Sequence, residues 1–234
     1  MRRSRLAFLF WLTTVAGAAP AEFDPADRYE TRQVEGWTVL VNRSFLDGEP
    51  DLAAGTLKWL GTQLAQVVHK VPEGAVGKLR KVRIWVEEKE SHHPCMAYHP
   101  DEGWLRGHGM NPGKARCVEI ANARNFLKWT REQPWMVLHE LAHAYHHQFL
   151  DGGFENPEVR DAYRRAMGEK RYESVLHYDG KEVRAYAKTD PMEYFAEATE
   201  AFFGANDFYP FVRAELQRHD PEMVTVLRRA WDAP

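Results

Sequence analysis

Five residues, His139-Glu140-Leu141-Ala142-His143, constrain this 234-residue chain more than any other segment. Residues four apart on an α-helix lie nearly above one another, so a helix here offers the imidazoles of His139 and His143 to one metal ion. Glu140 points slightly off that axis, where its carboxylate can take a proton from a metal-activated water. The flanking residues predict that helix. Thr130 and Gln133 fit a capping box, Pro134 falls in the first turn, and Gly152 with Gly153 ends it. Trp135, Leu138, Ala142, Tyr145 and Phe149 form an apolar stripe on the core side, which turns His139 and His143 toward a cleft.

This is the HExxH arrangement of zinc peptidases, and its plain alternative is a solvated helix face. A catalytic zinc takes three protein ligands and keeps one position for water. His146 and His147 are the nearest candidates for the third. Seven residues of helix separate His146 from His139 by about 10 Å, too far for one tetrahedral ion, and both histidines read as surface or supporting groups. Position 149, where some zincins carry a third histidine, holds Phe149. Downstream, Glu193 and Glu197 sit one turn apart, opposite a stripe of Met192, Phe195, Thr199, Phe202 and Phe203. Glu193 could bind the metal while Glu197 accepts a hydrogen bond from a ligating imidazole. Equally, Asp190 and Glu193 fit a capping box, and Glu193, Glu197 and Glu200 fit a solvated stripe.

Composition is that of an ordinary soluble domain, with 28% charged and 44% hydrophobic residues. The length suits a single domain over residues 22–234. Residues 1–21 read as a signal peptide: Arg2, Arg3 and Arg5, an apolar run from Leu6 to Ala19, then Ala19-Pro20-Ala21 as a cleavage site. The run is too short for a stable membrane anchor, so a secreted or periplasmic protein is expected. Cleavage removes three arginines and no acid, taking the net charge from -3 to -6. A mildly acidic chain with scattered charges gives no electrostatic case for nucleic acid. In an oxidising compartment Cys95 and Cys117 could pair, stabilising the fold by roughly 3 kcal/mol through loop entropy.

The remaining pattern predicts an α+β fold. Residues 37–42 read as a strand and Asp51 to about Val71 as a helix ending at Pro72. Residues 80–87 read as a second strand with Val82, Ile84 and Val86 on one face. Ser91 to Lys114 is a long loop whose His92, His93, His99 and His108 match no tight ligand spacing. Trp104 and Leu105 in it could touch substrate or pack on the core. A short strand from Cys117 to Ala121 is a candidate edge for an extended peptide, or an interior strand. Residues 157–185 mix helix and loop. A helix runs from Pro191 to about Phe203, capped by Asp190 and stopped by Gly204, and the tail breaks near Asp220-Pro221.

Tyr186-Ala187, Asp190-Pro191-x-Glu193-x-Phe195-Ala196 and Phe202-Phe203 together resemble the third-ligand helix of the gluzincins related to anthrax lethal factor. The segment is closest to the Mlc titration factor A branch and also similar to the Pro-Pro endopeptidases, over about residues 117–205. The resemblance implies a zincin-like fold with a small N-terminal mixed sheet, the HExxH helix and a mostly helical C-terminal part. It implies one zinc per chain held by His139, His143 and Glu193, with Glu140 and Tyr186 catalytic and Glu197 supporting. The expected activity is hydrolysis of peptide or protein substrates. A catalytically inactive zincin serving as a binding module and a zinc hydrolase of a non-peptide amide are the alternatives. The Mlc titration factors are cytoplasmic, so the signal segment departs from that branch. Substrate identity and oligomeric state are written in no motif.

Overall fold

The computed structural model describes residues 23–90 and 92–234; the expected signal segment lies outside them. The chain opens with a hairpin of β1 (Tyr29–Val34) and β2 (Trp37–Asn42), turned by Glu35 and Gly36 at φ 50° and 88°. Two consecutive positive φ values make the tight turn whose twist matches paired strands. A helical stretch follows, α1 (Arg43–Gly48), α2 (Pro50–Lys70) and α3 (Glu73–Leu79). The second of these ends at Val71, held extended before Pro72. Then come β3 (Ile84–Val86), β4 (Met96–His99), α4 (Glu102–Gly107) and β5 (Cys117–Ile120).

The five strands form one mixed sheet in the order β1-β2-β3-β5-β4. Pairings of β2 with β3 and of β3 with β5 are parallel, and the two outer pairings are antiparallel. Val39, Val41, Ile84, Val86, Val118 and Ile120 bury one face against the helices. The other face carries Tyr29, Trp85 and Cys117 above a buried polar network. One expectation changes here, and one pair of alternatives is decided. The stretch from Ser91 to Lys114 is not one loop, because it contributes β4 and α4. The strand at Cys117 is interior and buried throughout, so β4 is the sheet edge.

After α5 (Ala123–Trp129), α6 (Met136–Phe149) carries the HExxH residues across the sheet. The Thr130–Gln133 capping box is absent. Thr130 instead ends α5, donating to the Phe126 carbonyl at 2.6 Å and accepting from Trp59 Nε1 at 2.8 Å. The C-terminal part holds α7 (Pro157–Gly168), a two-residue-per-strand hairpin of β6 (Val175–Leu176) and β7 (Glu182–Val183), α8 (Pro191–Phe203), α9 (Arg213–His219) and α10 (Pro221–Trp231). The last two break at Asp220-Pro221, as the sequence predicts.

Helix α8 packs along α6, and α10 wedges them. Trp231 stacks on Tyr145 with ring centroids 4.0 Å apart and donates to Thr199 Oγ1 at 3.3 Å. At the other end Gly204 lies under Trp135, where an added Cβ would meet indole atoms at 1.9 Å. Only glycine permits that approach.

His146 lies between the two helices. It is fully buried against Phe154 and Phe195, a core position and not the surface or supporting one expected, and neither ring nitrogen has a protein partner among the described residues. Burial lowers its pKa from 6.5 to about 3, helped by His143 and His147. The unfolded chain therefore binds the extra proton between those pH values, and stability is lost as pH falls below about 6.5. Replacing His146 with leucine should shift the difference in unfolding free energy toward the variant by about 2 kcal/mol between pH 8 and pH 5. Urea titrations at both pH values check this; parallel pH profiles for the two proteins would rule it out.

Candidate metal and catalytic site

One turn of α6 brings the Nε2 atoms of His139 and His143 to 3.1 Å from each other. Helix α8 supplies the third group. Asp190 caps it, accepting from the backbone N–H groups of Met192 at 2.8 Å and Glu193 at 2.9 Å, with Pro191 filling the first helical position. Glu193 therefore projects from the first turn, its Oε2 3.0 Å from His139 Nε2 and 3.2 Å from His143 Nε2. His139, His143 and Glu193 form a cluster of the kind that can hold a metal ion. His146 and His147 stay outside it: the former is in the core, and Nδ1 of the latter meets the Tyr98 hydroxyl at 2.8 Å. The four histidines of the 91–114 segment join no such cluster among the described residues.

The chemistry of these atoms favours a cation. His139 Nδ1 lies 2.7 Å from a carboxylate oxygen of Glu200, so the ring donates there and turns a lone pair toward Glu193 at Nε2. Two imidazole lone pairs and a carboxylate oxygen then converge on one point. Spacings of 3.0 to 3.2 Å are those of neighbouring ligands around a tetrahedral ion with bonds near 2 Å. Without an ion, Glu193 lies well below the usual carboxylate range; burial opposes this, and hydrogen bonds from the two imidazoles outweigh it, so protons take the place that a cation would fill.

Glu200 takes the supporting place expected of Glu197. The latter is 3.8 Å from His139 Nδ1 and accepts instead from Asn206 Nδ2 at 3.1 Å. Both carboxyls are buried, and their pKa values rise through burial and the charge of Asp207, with Glu200 adding to the rise at Glu197 and Glu140 to that at Glu200. Seven residues is almost two full turns, so Glu200 shares the face of Glu193 more closely than Glu197 does. That spacing was the available signal.

Glu140 Oε2 accepts the backbone N–H of Tyr98 on β4 at 2.8 Å. Burial raises its pKa, and the charges of His139 and His143 oppose the rise. Tyr186 stands at the rim, about half exposed, its hydroxyl 3.2 Å from Glu193 Oε1. Burial and Glu193 push its pKa up to about 12, which keeps it a proton donor. These groups line a cleft of about 650 Å³ that runs along β4. Of the two candidate contact residues, Leu105 is buried, whereas Trp104 is exposed and stacks on His108.

The cysteines are free thiols, which corrects the expected disulfide. Cys117 pairs with His99 in the β4–β5 ladder, and Cys95 lies four residues further along β4's side. Four residues of strand span about 13 Å, whereas bridged Cα atoms lie within about 7 Å. They also face apart, Cys95 toward Met136 at 3.5 Å and Cys117 toward Trp85 on the opposite face.

The family described as "Glucose-regulated metallo-peptidase M90" matches residues 83–231, more than half of the chain. No curated protein matches it. The solved structure of the Pro-Pro endopeptidase PPEP-2 from Paenibacillus alvei is similar over 85% of this chain and 99% of that one, at 16% identity and a TM-score of 0.41.

Replacing Glu200 with glutamine should weaken zinc binding about 10- to 100-fold, because the ligating imidazole loses its anionic anchor. Competition against a chromophoric chelator measures this. Equal losses in Glu197→Gln and Glu200→Gln would contradict the assignment.

Proposed function

The chain belongs to the glucose-regulated M90 metallopeptidases, and from that premise we propose that it hydrolyses peptide bonds with one zinc ion held by His139, His143 and Glu193. The observation that carries the reading is the convergence of two imidazole nitrogens and a carboxylate oxygen on one point, with Glu140 beside it. When bound there, zinc lowers the pKa of a coordinated water and polarises a carbonyl.

The protein groups supply the rest. Glu140 accepts the proton of the attacking water and returns it to the leaving amine. Its raised pKa suits both transfers, and the Tyr98 N–H aims the carboxylate. The Tyr186 hydroxyl, protonated at neutral pH, donates to the oxyanion as the tetrahedral carbon forms. Strand β4 orients the substrate. The Cys95 and His99 carbonyls face β5, accepting from Ala121 at 2.7 Å and Arg116 at 2.6 Å, so alternation turns the groups of Met96 and Tyr98 outward. An extended peptide can pair with Met96 N–H, Met96 C=O and Tyr98 C=O. Pro94 and Pro100 have no N–H and close that edge at both ends, which limits strand pairing to the residues around the scissile bond.

Cleavage of a diverse peptide library, read by mass spectrometry, tests the proposal. Glu140→Gln should keep its zinc and lose at least about 10³-fold in kcat, and chelation should abolish turnover. Tyr186→Phe should lose about 10²-fold in kcat with little change in KM. Zinc bound one-to-one with no peptide cleaved would move the protein to a non-cleaving zincin.

We also propose that residues 1–21 direct export and are removed. Free thiols are compatible with that route, because burial raises the pKa of both cysteines, Cys95 to about 12 with help from Glu140. A mature protein isolated outside the cytoplasm should begin at Glu22; an intact Met1 on the folded protein would exclude processing.

A further inference from the structure

Beside the start of α6 the cleft changes character. Trp129, Met136 and Phe208 give it apolar walls, and Asp207 gives it a carboxylate. Asp207 is only 5% exposed and sits on the loop after α8. That loop is fixed: Tyr178 N–H donates to the Asp207 carbonyl at 2.8 Å, Asp207 N–H donates to Asn206 Oδ1 at 2.9 Å, and Phe208 bridges to His177. The carboxylate receives a neutral hydrogen bond, from Gln133 Nε2 at 3.1 Å. His177 Nε2 stands 3.8 Å away, with the other ring nitrogen 2.9 Å from Asp179.

Charge across the cleft is one-sided. Five carboxylates line it, those of Glu140, Glu193, Glu197, Glu200 and Asp207, and none of its described lining residues is lysine or arginine. A divalent ion offsets two of those charges, and Glu200 is engaged by His139. Asp207 is the member of the set carried by neither α6 nor α8. A buried carboxylate beside apolar walls fits a long side chain with an aliphatic stem and a cationic head: the stem covers the walls and the head satisfies the carboxylate. An aliphatic side chain of equal length would leave that carboxylate desolvated and unpaired, and an acidic one would meet like charge.

We propose that this end of the cleft is a specificity pocket for a lysine or arginine side chain flanking the scissile bond, with Asp207 as the selecting residue. The inference rests on the peptidase reading above and deepens it by naming the substrate class. Peptides identical except for lysine, arginine, norleucine or glutamate beside the cleaved bond test it. Both kcat/KM and calorimetric affinity for the Glu140→Gln protein should favour lysine over norleucine by about thirtyfold, the magnitude of a desolvated charge pair. Asp207→Asn should bring that ratio close to one, and Asp207→Lys should invert the order so that glutamate exceeds lysine. A ratio near one in the natural protein, or a lysine preference that survives Asp207→Asn, overturns the proposal. The two failures are separable. Loss of the peptidase reading appears as no turnover of any peptide, whereas loss of this inference appears as equal affinity for lysine and norleucine in the Glu140→Gln protein.

Discussion

Two ring nitrogens and a carboxylate oxygen held about 3 Å apart need a proton or a cation among them. Much of the C-terminal half exists to impose that arrangement. The Asp190 cap fixes where α8 begins, and hence where Glu193 emerges. The Trp231 wedge against Tyr145 and the close seat of Gly204 under Trp135 fix how α8 lies on α6. Both contacts lie away from the cluster itself. Helix packing here thus sets the three groups in place, and an ion bound at the proposed site would add to the stability of that packing.

Behind the cluster, the other nitrogen of His139 faces Glu200, with Glu197 and Asp207 close by. Such a concentration of buried carboxyls is unfavourable by itself. It becomes useful once His139 must present its Nε2 lone pair forward, because an anionic acceptor at Nδ1 selects that tautomer and raises the basicity of the ring. Hydrogen bonding to Glu200 and the proposed ligation are therefore two ends of one imidazole at His139.

Glu193 joined the two histidines only through the family resemblance, since no spacing says that α6 and α8 meet, whereas the shared face of His139 and His143 was legible because helix periodicity converts spacing directly into geometry. So were the ends of α8 at Asp190 and Gly204 and the break at Asp220-Pro221, where cap and stop residues act locally. What escaped the sequence depended on tertiary partners. Strand β4 is four residues between two prolines, and only its pairing with β5 makes it a strand. Val82 alternates like a strand residue, but the turn after α3 holds it, with its N–H on the Leu79 carbonyl at 2.9 Å. The choice of Glu200 over Glu197 had a signal in the seven-residue spacing from Glu193, but only the packing of α8 on α6 brings that face against His139 Nδ1. The disulfide failed for a related reason: pairing register put the two cysteines at opposite ends and on opposite faces of the β4–β5 ladder.

The edge strand has its own support on the far side of the sheet. His99, the residue after Tyr98, holds Glu119 of β5 at 2.6 Å. Lys114 in turn bonds Glu119 and reaches Glu87 at 2.7 Å, and Glu87 also receives the Tyr29 hydroxyl and Asn42. His99, Glu119, Lys114 and Glu87 are all buried. Burial opposes ionisation of both Glu119 and Lys114, yet Glu119 falls below and Lys114 rises above its ordinary pKa, so the pairing outweighs the desolvation. Breaking one member of such a network typically costs about 3–5 kcal/mol, whereas an apolar replacement of the whole set can be neutral. Its value here is positional. It locks the register of a four-residue strand that has neighbours on one side only, and with it the Tyr98 N–H that aims Glu140 into the cleft.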